Sequence, residues 1–270
     1  MGLIFDINAA RLYESWYESS KGRTMDKWAE ASVLSMLDPK PGERILDIGC
    51  GSGNHLLFFN KLGLDLTGID ASPYMISRAR ERLGDRCSLK IGRAEALPFD
   101  DNEFDFSILI NTIEFIDSPL NALQEAGRVT RRKVFIGVMN SLSWYGLCMK
   151  IHSIFRKSLF RYVRNYNLWE LKSYVLGALG DVPTTWRCAQ ILPPFLGKMG
   201  GLMGNHWKLK YCPFGAFLGL SADIIYRVRT EQHPLKLGIK KPQQSMVNGV
   251  TCVKARQIRE VHDHEGSLSV

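Results

Sequence analysis

Residues 45–53 read Ile-Leu-Asp-Ile-Gly-Cys-Gly-Ser-Gly, and this stretch decides the fold that the sequence predicts. The apolar, β-branched run that ends at Ile48 is typical of a short strand, the glycines after it predict a tight turn, and a helical pattern follows to about Leu62. A strand that leads through a glycine-rich turn into a helix places a ligand at the carboxyl end of a parallel sheet. We therefore expect a ligand site directly after Ile48.

Strand and helix patterns alternate on both sides of this stretch. Strands are predicted over 64–69, 87–91, 106–111, 133–139, 184–192 and 217–228, and helices over 25–36, 72–83, 120–130, 141–166 and 169–179. Up to residue 140 the alternation is at short spacing, which indicates βαβ units and a parallel sheet covered by helices on both faces.

Acidic residues beside the glycine turn indicate the charge of the ligand. The turn does not fit the dinucleotide pattern G-x-G-x-x-G, because Asn54 occupies the position of the last glycine. A carboxylate at Asp47 would repel a pyrophosphate and suits a ligand with a positive end, which favours S-adenosylmethionine over a nicotinamide or flavin dinucleotide. Asp70, at the end of the second predicted strand, is placed to accept hydrogen bonds from two ribose hydroxyls.

Three motifs resemble those of class I S-adenosylmethionine-dependent methyltransferases, specifically the small-molecule branch typified by the C-methyltransferases of ubiquinone and menaquinone biosynthesis. The motifs are LDIGCGSG at 46–53, GIDASPYM at 68–75 and AEALPF at 94–99, and the similarity extends over roughly residues 10–140. The resemblance implies a Rossmann-like, doubly wound, mostly parallel seven-stranded sheet with an antiparallel last strand and a helical cap inserted after the fifth strand. It also implies S-adenosylmethionine as the methyl donor.

The resemblance further implies which residues bind the cofactor. Its methionine part would contact Tyr13, Asp47, Gly49, Gly51, Gly53 and Asn111, its ribose Asp70, and its adenine Ala71, Met75, Ala94 and Glu95. Tyr13 belongs to a stretch that looks like the family's lid over the methionine. Two positions depart from the family pattern: Arg93 stands where an acidic residue is common, and the turn 131–133 lacks the usual glycine pair.

Several of these residues also have a purely structural interpretation that the sequence leaves open. The glycines could serve the turn alone, and Asp70 could cap a helix or lie on the surface. Met75 could belong to the core, Tyr13 could be an ordinary packing aromatic, and Glu95 could be a solvated loop acid.

No catalytic residue is assigned from the sequence. Methyl transfer from a sulfonium is an in-line displacement that depends mainly on alignment, and a base is needed only where the acceptor must lose a proton. The candidate bases are His55, His152, His206, Glu114 and Tyr145. The six cysteines are scattered without a C-x-x-C pair, so we expect reduced thiols and neither disulfides nor a metal site.

The net charge of +8 is concentrated in the second half of the chain. Residues 1–140 carry 17 Lys and Arg against 20 Asp and Glu, whereas residues 141–230 carry 12 against 3 and are rich in aromatics. This composition favours a small-molecule acceptor that is apolar, lipid-like or acidic, and peripheral contact with an anionic membrane. An ordinary helical cap with solvated cations is an equal alternative.

The 270 residues are expected to divide into five parts. These are an N-terminal helical lid (1–42), the S-adenosylmethionine-binding core (43–140), a helical cap on the substrate side (141–182), the last two strands with a long connecting loop (183–230) and an extended tail (231–270). No run of 18 apolar residues and no signal peptide is present in the sequence, so we expect a cytoplasmic protein.

Three functions are compatible with these patterns. The first is a small-molecule methyltransferase. The second is an RNA-modifying methyltransferase whose basic cap grips RNA. The lack of an Asn/Asp-Pro-Pro-Tyr-type motif after the fourth strand argues against base N-methylation, and we do not expect nucleic acid as a partner. The third is a catalytically silent S-adenosylmethionine-binding protein.

Overall fold

The structure is a computed structural model that describes residues 7–144, 146, 164–189 and 212–224. Most of the predicted cap between 145 and 163, the loop 190–211, the end of the last predicted strand beyond 224 and the tail 231–270 lie outside the described residues. The expected division of the chain into five parts therefore stays a prediction.

Seven strands form one sheet in the order β3-β2-β1-β4-β5-β7-β6. They are β1 (Arg44–Ile48), β2 (Asp65–Asp70), β3 (Ser88–Ile91), β4 (Phe104–Ile110), β5 (Thr130–Met139), β6 (Thr184–Ala189) and β7 (Phe217–Asp223). The first five strands pair in parallel, and β7 runs antiparallel to both of its neighbours, β5 and β6. This confirms the predicted Rossmann-like sheet with an antiparallel last strand.

Six α-helices with described bounds pack around the sheet in the part of the chain that the structure describes. They are α1 (Ile7–Glu18), α2 (Ser20–Leu37), α3 (Asn54–Asn60), α4 (Pro73–Leu83), α5 (Pro119–Val129) and α6 (Leu168–Leu179). One buried apolar cluster contains residues of α5 and α6, and a second contains residues of α2, α3 and α4. Apolar side chains of the strands contribute to both clusters, so the sheet is buried on both faces, as a parallel sheet requires.

Helix ends follow local sequence signals. The Ser72 hydroxyl accepts a hydrogen bond from the Met75 N–H at 3.3 Å, and Pro73 occupies the first turn of α4. A capping box between Asn167 and Glu170 starts α6, which contacts α5. This part of the predicted cap therefore packs on the flank of the sheet.

The fifth strand begins three residues earlier than predicted, at Thr130. Its polar start looked like a turn because the sequence reads Arg-Arg-Lys. Both arginine side chains lie at the exposed start of the strand, where Arg131 donates to the Asn102 carbonyl oxygen at 2.5 Å and Arg132 pairs with Glu43. An exposed strand end tolerates such charges, so the polarity of these residues was not a reliable sign of a turn before β5.

Other features of the described residues bear on the expected location and ligands. No helix among them is long and apolar enough to cross a membrane. Within the same ranges, no group of three His, Cys, Asp or Glu side chains is arranged to hold a metal ion. Cys50, Cys87, Cys188 and Cys212 are free thiols.

Candidate cofactor-binding site

A cavity of about 940 Å³, counted to its open mouth, lies at the carboxyl ends of the parallel strands. The segments that line it follow four different strands: 49–52 after β1, 70–72 at the end of β2, 92–95 after β3 and 110–112 at the end of β4. Parallel α/β sheets bind their ligands at this edge, so the cavity lies where a ligand site is expected.

The glycine turn is shaped by close packing at its two ends. Gly49 has a φ of +75°, and a Cβ there would lie 2.2 Å from Thr112 Cγ2. Gly53 has a φ of +79°, and its Cβ would lie 2.5 Å from Leu83 Cδ1. Both positions therefore require glycine for conformation and for space. At Gly51, by contrast, no heavy atom lies within 4 Å of a built Cβ, so this part of the turn leaves room beside the cavity.

The carboxylate of Asp70 holds the turn in place. It accepts hydrogen bonds from the backbone N–H groups of Gly51 at 3.0 Å and Ser72 at 2.8 Å. Burial raises the pKa of Asp70, and these two N–H groups oppose the rise because they stabilise the ionised form. A carboxylate offers about four acceptor positions, so two remain for ribose hydroxyls.

Asp47 lies outside the described lining of the cavity, although its position was predicted to face the ligand's ammonium. Its side chain is buried in β1 at 1% exposure, and its Oδ2 atom has no hydrogen-bond partner among the described residues. Burial, with a smaller contribution from the charge of Asp70, raises the pKa of Asp47 to about 8. Burial thus disfavours the charged form of Asp47, and its contact with the ligand stays a prediction.

Asn111 and two tyrosines form the polar wall at the end of β4. Asn111 adopts a φ of +49°, which asparagine tolerates better than most residues, and its Nδ2 donates to the Tyr17 hydroxyl at 3.2 Å. The Tyr13 hydroxyl also donates to that of Tyr17, at 3.2 Å. Asn111 Oδ1 is buried without a hydrogen-bond partner in the described structure, so it is available to a ligand.

Tyr17 lines the cavity but was not among the predicted contacts. Tyr13 and Tyr17 are separated by four residues on α1, so they lie on the same helix face, and this spacing could have identified the second from the first. An ion pair between Glu14 Oε1 and Arg78 Nε at 3.3 Å connects α1 with α4 beside the site.

The other end of the cavity contains the predicted adenine contacts. Ala71, Met75, Ala94 and Glu95 all line it, as does Arg93. Arg93 forms ion pairs with Glu95 at 3.1 Å and with Asp117 at 3.4 Å, which link the loop after β3 to the loop after β4. The unusual cation at 93 therefore fixes the orientation of Glu95. Met75 is buried and also lines the cavity, so its two interpretations are compatible.

The candidate bases differ in their positions. His55 lines the cavity, whereas Glu114 lies outside its described lining. Glu114 Oε1 accepts a hydrogen bond from the Met139 N–H at 3.1 Å, and burial raises the pKa of Glu114 to about 8. This contact gives Glu114 a structural role between β4 and β5. Tyr145, His152 and His206 lie outside the described residues.

Comparison with known proteins is consistent with this site. Residues 46–136 match the family model described as "Methyltransferase domain", which covers β1 to β5. An uncharacterized protein of Mycobacterium tuberculosis (strain ATCC 25618 / H37Rv) is 32% identical over 158 residues, which are 56% of this chain and 57% of the relative. An O-methyltransferase of Aspergillus sclerotiorum is 28% identical over 170 residues, 59% of this chain and 62% of the relative. The chain thus spans less than two thirds of the length of either relative.

Solved structures share the fold. A SAM-dependent methyltransferase from Thermotoga maritima superposes with a TM-score of 0.61 at 23% identity, over 81% of this chain and 97% of that one. Magnesium protoporphyrin IX methyltransferase of Synechocystis PCC 6803, solved with bound SAH, superposes with a TM-score of 0.58 at 14% identity, over 82% and 96% of the two chains. Together with the domain match, these similarities support the predicted cofactor, S-adenosylmethionine as methyl donor.

Proposed function

We propose that the chain is an S-adenosylmethionine-dependent methyltransferase that acts on a small-molecule acceptor. One observation carries the proposal. At the carboxyl edge of the sheet, Asp70 holds the glycine turn at Gly51 and keeps two acceptor positions beside the cavity.

The chain's own atoms fit the donor at three places. Gly51 leaves space for a ligand that approaches the backbone, and Asn111 Oδ1 is a buried acceptor that lacks a partner within the described ranges. The ribose would be held by Asp70, and the adenine by the wall that contains Met75 and Glu95.

The bound donor would supply an electrophilic methyl group on a sulfonium. The protein's contribution to such a displacement is to align the two reactants and to exclude water. Tyr13 and Tyr17 of α1 cover one side of the cavity, and their mutual hydrogen bond fixes both rings. We assign no general base.

The acceptor is proposed to be apolar, lipid-like or acidic. The relative that is an O-methyltransferase supports methyl transfer as the reaction. The basic and aromatic composition of residues 141–230 supports an acidic or apolar one. We also propose peripheral contact with an anionic membrane, from this composition, and a cytoplasmic location, from the scattered cysteines without a disulfide pattern.

RNA is the less favoured acceptor. A 23S rRNA (uracil(1939)-C(5))-methyltransferase of Shewanella sp. (strain ANA-3) is 47% identical, but over only 57 residues, which are 21% of this chain and 13% of that enzyme. A match that covers so little of either protein gives no support for RNA as the acceptor of this chain.

The proposal is tested by a methyl-transfer assay with the full chain. Purified protein and labelled S-adenosylmethionine are incubated with fractionated extract of the native host, and labelled products are identified by mass spectrometry. A labelled small molecule that is absent with the Asp70→Ala variant supports the proposal. Labelled RNA, or cofactor binding without any labelled product, would instead favour one of the two alternatives.

A further inference from the structure

One polar side chain that lines the cavity, and a second one close to it that lies outside the described lining, have unfilled hydrogen-bonding capacity. His55 lines the cavity and is only 6% exposed, yet neither of its ring nitrogens has a partner among the described residues. Asp26 Oδ1, also buried and unpartnered in this part of the chain, lies 3.9 Å from His55 Nε2. That distance is too long for a hydrogen bond. Buried polar atoms without partners are costly, so the pair is arranged for a group that the protein itself does not supply.

The two side chains belong to two different helices, α2 and α3. His55 is in the first turn of α3, directly after the glycine turn, and Asp26 is on α2. Burial lowers the pKa of His55 to about 4, so its ring is neutral near pH 7 and keeps one nitrogen as an acceptor. Burial and the nearby carboxylate of Glu30 raise the pKa of Asp26 to about 7, while the Arg82 guanidinium opposes that rise.

We propose that His55 binds the ammonium group of a ligand in the cavity and that Asp26 is its positioning residue. One ring nitrogen of His55 accepts an N–H of the ammonium, and the other donates to the Asp26 carboxylate once their separation shortens. The proposal rests on the proposed function, because S-adenosylmethionine carries an ammonium at its methionine end. An amine acceptor would supply the same chemistry at the same place.

Ammonium binding would couple affinity to pH. A cation near Asp26 favours the carboxylate, so binding lowers the pKa of Asp26 and releases a proton wherever Asp26 is protonated in the free protein. Affinity should therefore rise between about pH 6 and 8, through the pKa of about 7. Tyr17 and Tyr13, which also interact electrostatically with Asp26, have pKa values raised above 10 by burial and stay neutral in this range.

The test is calorimetric titration of the full chain with S-adenosylhomocysteine and with 5′-methylthioadenosine, which lacks the amino-acid part. His55→Phe removes a hydrogen bond to a charged group, so the affinity for S-adenosylhomocysteine should fall about tenfold. The affinity for 5′-methylthioadenosine should change less than about twofold. Asp26→Asn should remove the rise in affinity between pH 6 and 8. Asp65→Asn, at the exposed start of β2 and on another element, is the control and should keep the rise.

The two sources of the ammonium are separated by a second titration, with butylammonium in the presence of saturating S-adenosylhomocysteine. If His55→Phe weakens only butylammonium, the site serves an amine acceptor; if it weakens S-adenosylhomocysteine, the site serves the donor. The proposal is overturned if neither ligand responds to His55→Phe, or if affinity falls as pH rises, because His55 would then bind an anion or nothing. If the wild type binds neither nucleoside, the proposed function fails first, and this inference fails with it.

Discussion

The carboxylate of Asp70 and the backbone N–H of Gly51 lie 3.0 Å apart and join the end of β2 to the turn after β1. The second oxygen of Asp70 accepts from Ser72, at the start of α4. One side chain thus connects three elements at the edge of the sheet where the cavity opens. The shape of the candidate site depends on this carboxylate more than on any single glycine.

We expect Asp70→Asn to weaken S-adenosylhomocysteine at least about a hundredfold. The amide keeps the shape but replaces one acceptor with a donor that faces a backbone N–H, and hydrogen bonds to a charged group contribute about 1.5–3 kcal/mol each. Asp65→Asn, at the exposed start of the same strand, is the control. Titration calorimetry gives both affinities, and equal losses for the two variants would contradict this role of Asp70.

Substitution of glycine by alanine should reduce the free energy of unfolding by different amounts at two positions of the glycine turn. Gly49→Ala places a Cβ 2.2 Å from Thr112 Cγ2 and adds strain from a positive φ, so we expect the free energy of unfolding to fall by about 2–4 kcal/mol. Thr112 cannot turn away freely because its hydroxyl donates to the Ile110 carbonyl oxygen at 3.0 Å. Gly51→Ala has only the φ strain and should cost about 1 kcal/mol. Urea unfolding checks the order, and a larger loss for Gly51→Ala would contradict it.

Removal of the Tyr17 hydroxyl should loosen the polar wall of the cavity. Tyr17→Phe leaves Asn111 Nδ2 without its hydrogen bond, so we expect about 1–3 kcal/mol less stability and roughly tenfold weaker S-adenosylhomocysteine binding. Tyr74→Phe on α4, outside the described lining of the cavity, is the matched control. Thermal unfolding and calorimetry provide the two readouts. Unchanged affinity in Tyr17→Phe would mean that α1 does not contribute to the site.

Glu114 should make the stability of the protein depend on pH. Its pKa is raised from 4.5 to about 8, so the folded protein holds a proton there that the unfolded chain releases above about pH 4.5. The free energy of unfolding should therefore fall as pH rises from 5 to 8, by up to about 1.4 kcal/mol per pH unit from this group. Glu114→Gln removes the contribution, so the variant should gain stability relative to wild type across this range. Denaturant unfolding at pH 5, 6.5 and 8 tests the slope, and parallel curves would contradict it.

Much of the fold could be predicted because the local patterns agree with the global arrangement. The continuously apolar stretch of β4 indicated a central strand, and β4 indeed lies between β1 and β5. The antiparallel β7 was anticipated from the resemblance, since no local property of residues 217–223 specifies a direction. The start of β5 was predicted too late because Arg131 and Arg132 are polar. Both side chains are exposed at the end of the strand, so their charges are compatible with strand structure.

The site was predicted less completely than the fold. Of the predicted contacts, residues 49, 51, 70, 71, 94, 95 and 111 line the cavity because they belong to segments at or after strand ends, and Tyr13 on α1 and Met75 on α4 line it as well. Asp47 and Gly53 lie outside its described lining, so their contact with the cofactor stays a prediction. Asp47 was predicted to contact the ligand because it lies just before the glycines. The pleat of the strand sets the direction of its side chain, and the spacing of residues in the sequence does not reveal that direction. The proximity of Asp26 to His55 was also hidden, since 29 residues separate them and only the packing of α2 on α3 brings them together.

The most direct test of the account is a crystal structure of the full chain grown with S-adenosylhomocysteine. We expect one molecule per chain in the cavity, with both ribose hydroxyls within hydrogen-bonding distance of the Asp70 carboxylate and the adenine beside Met75. The account would be contradicted if S-adenosylhomocysteine bound elsewhere. It would also be contradicted if crystals grown with both S-adenosylhomocysteine and a dinucleotide held the dinucleotide, with its pyrophosphate across the turn at Gly49 and Gly51.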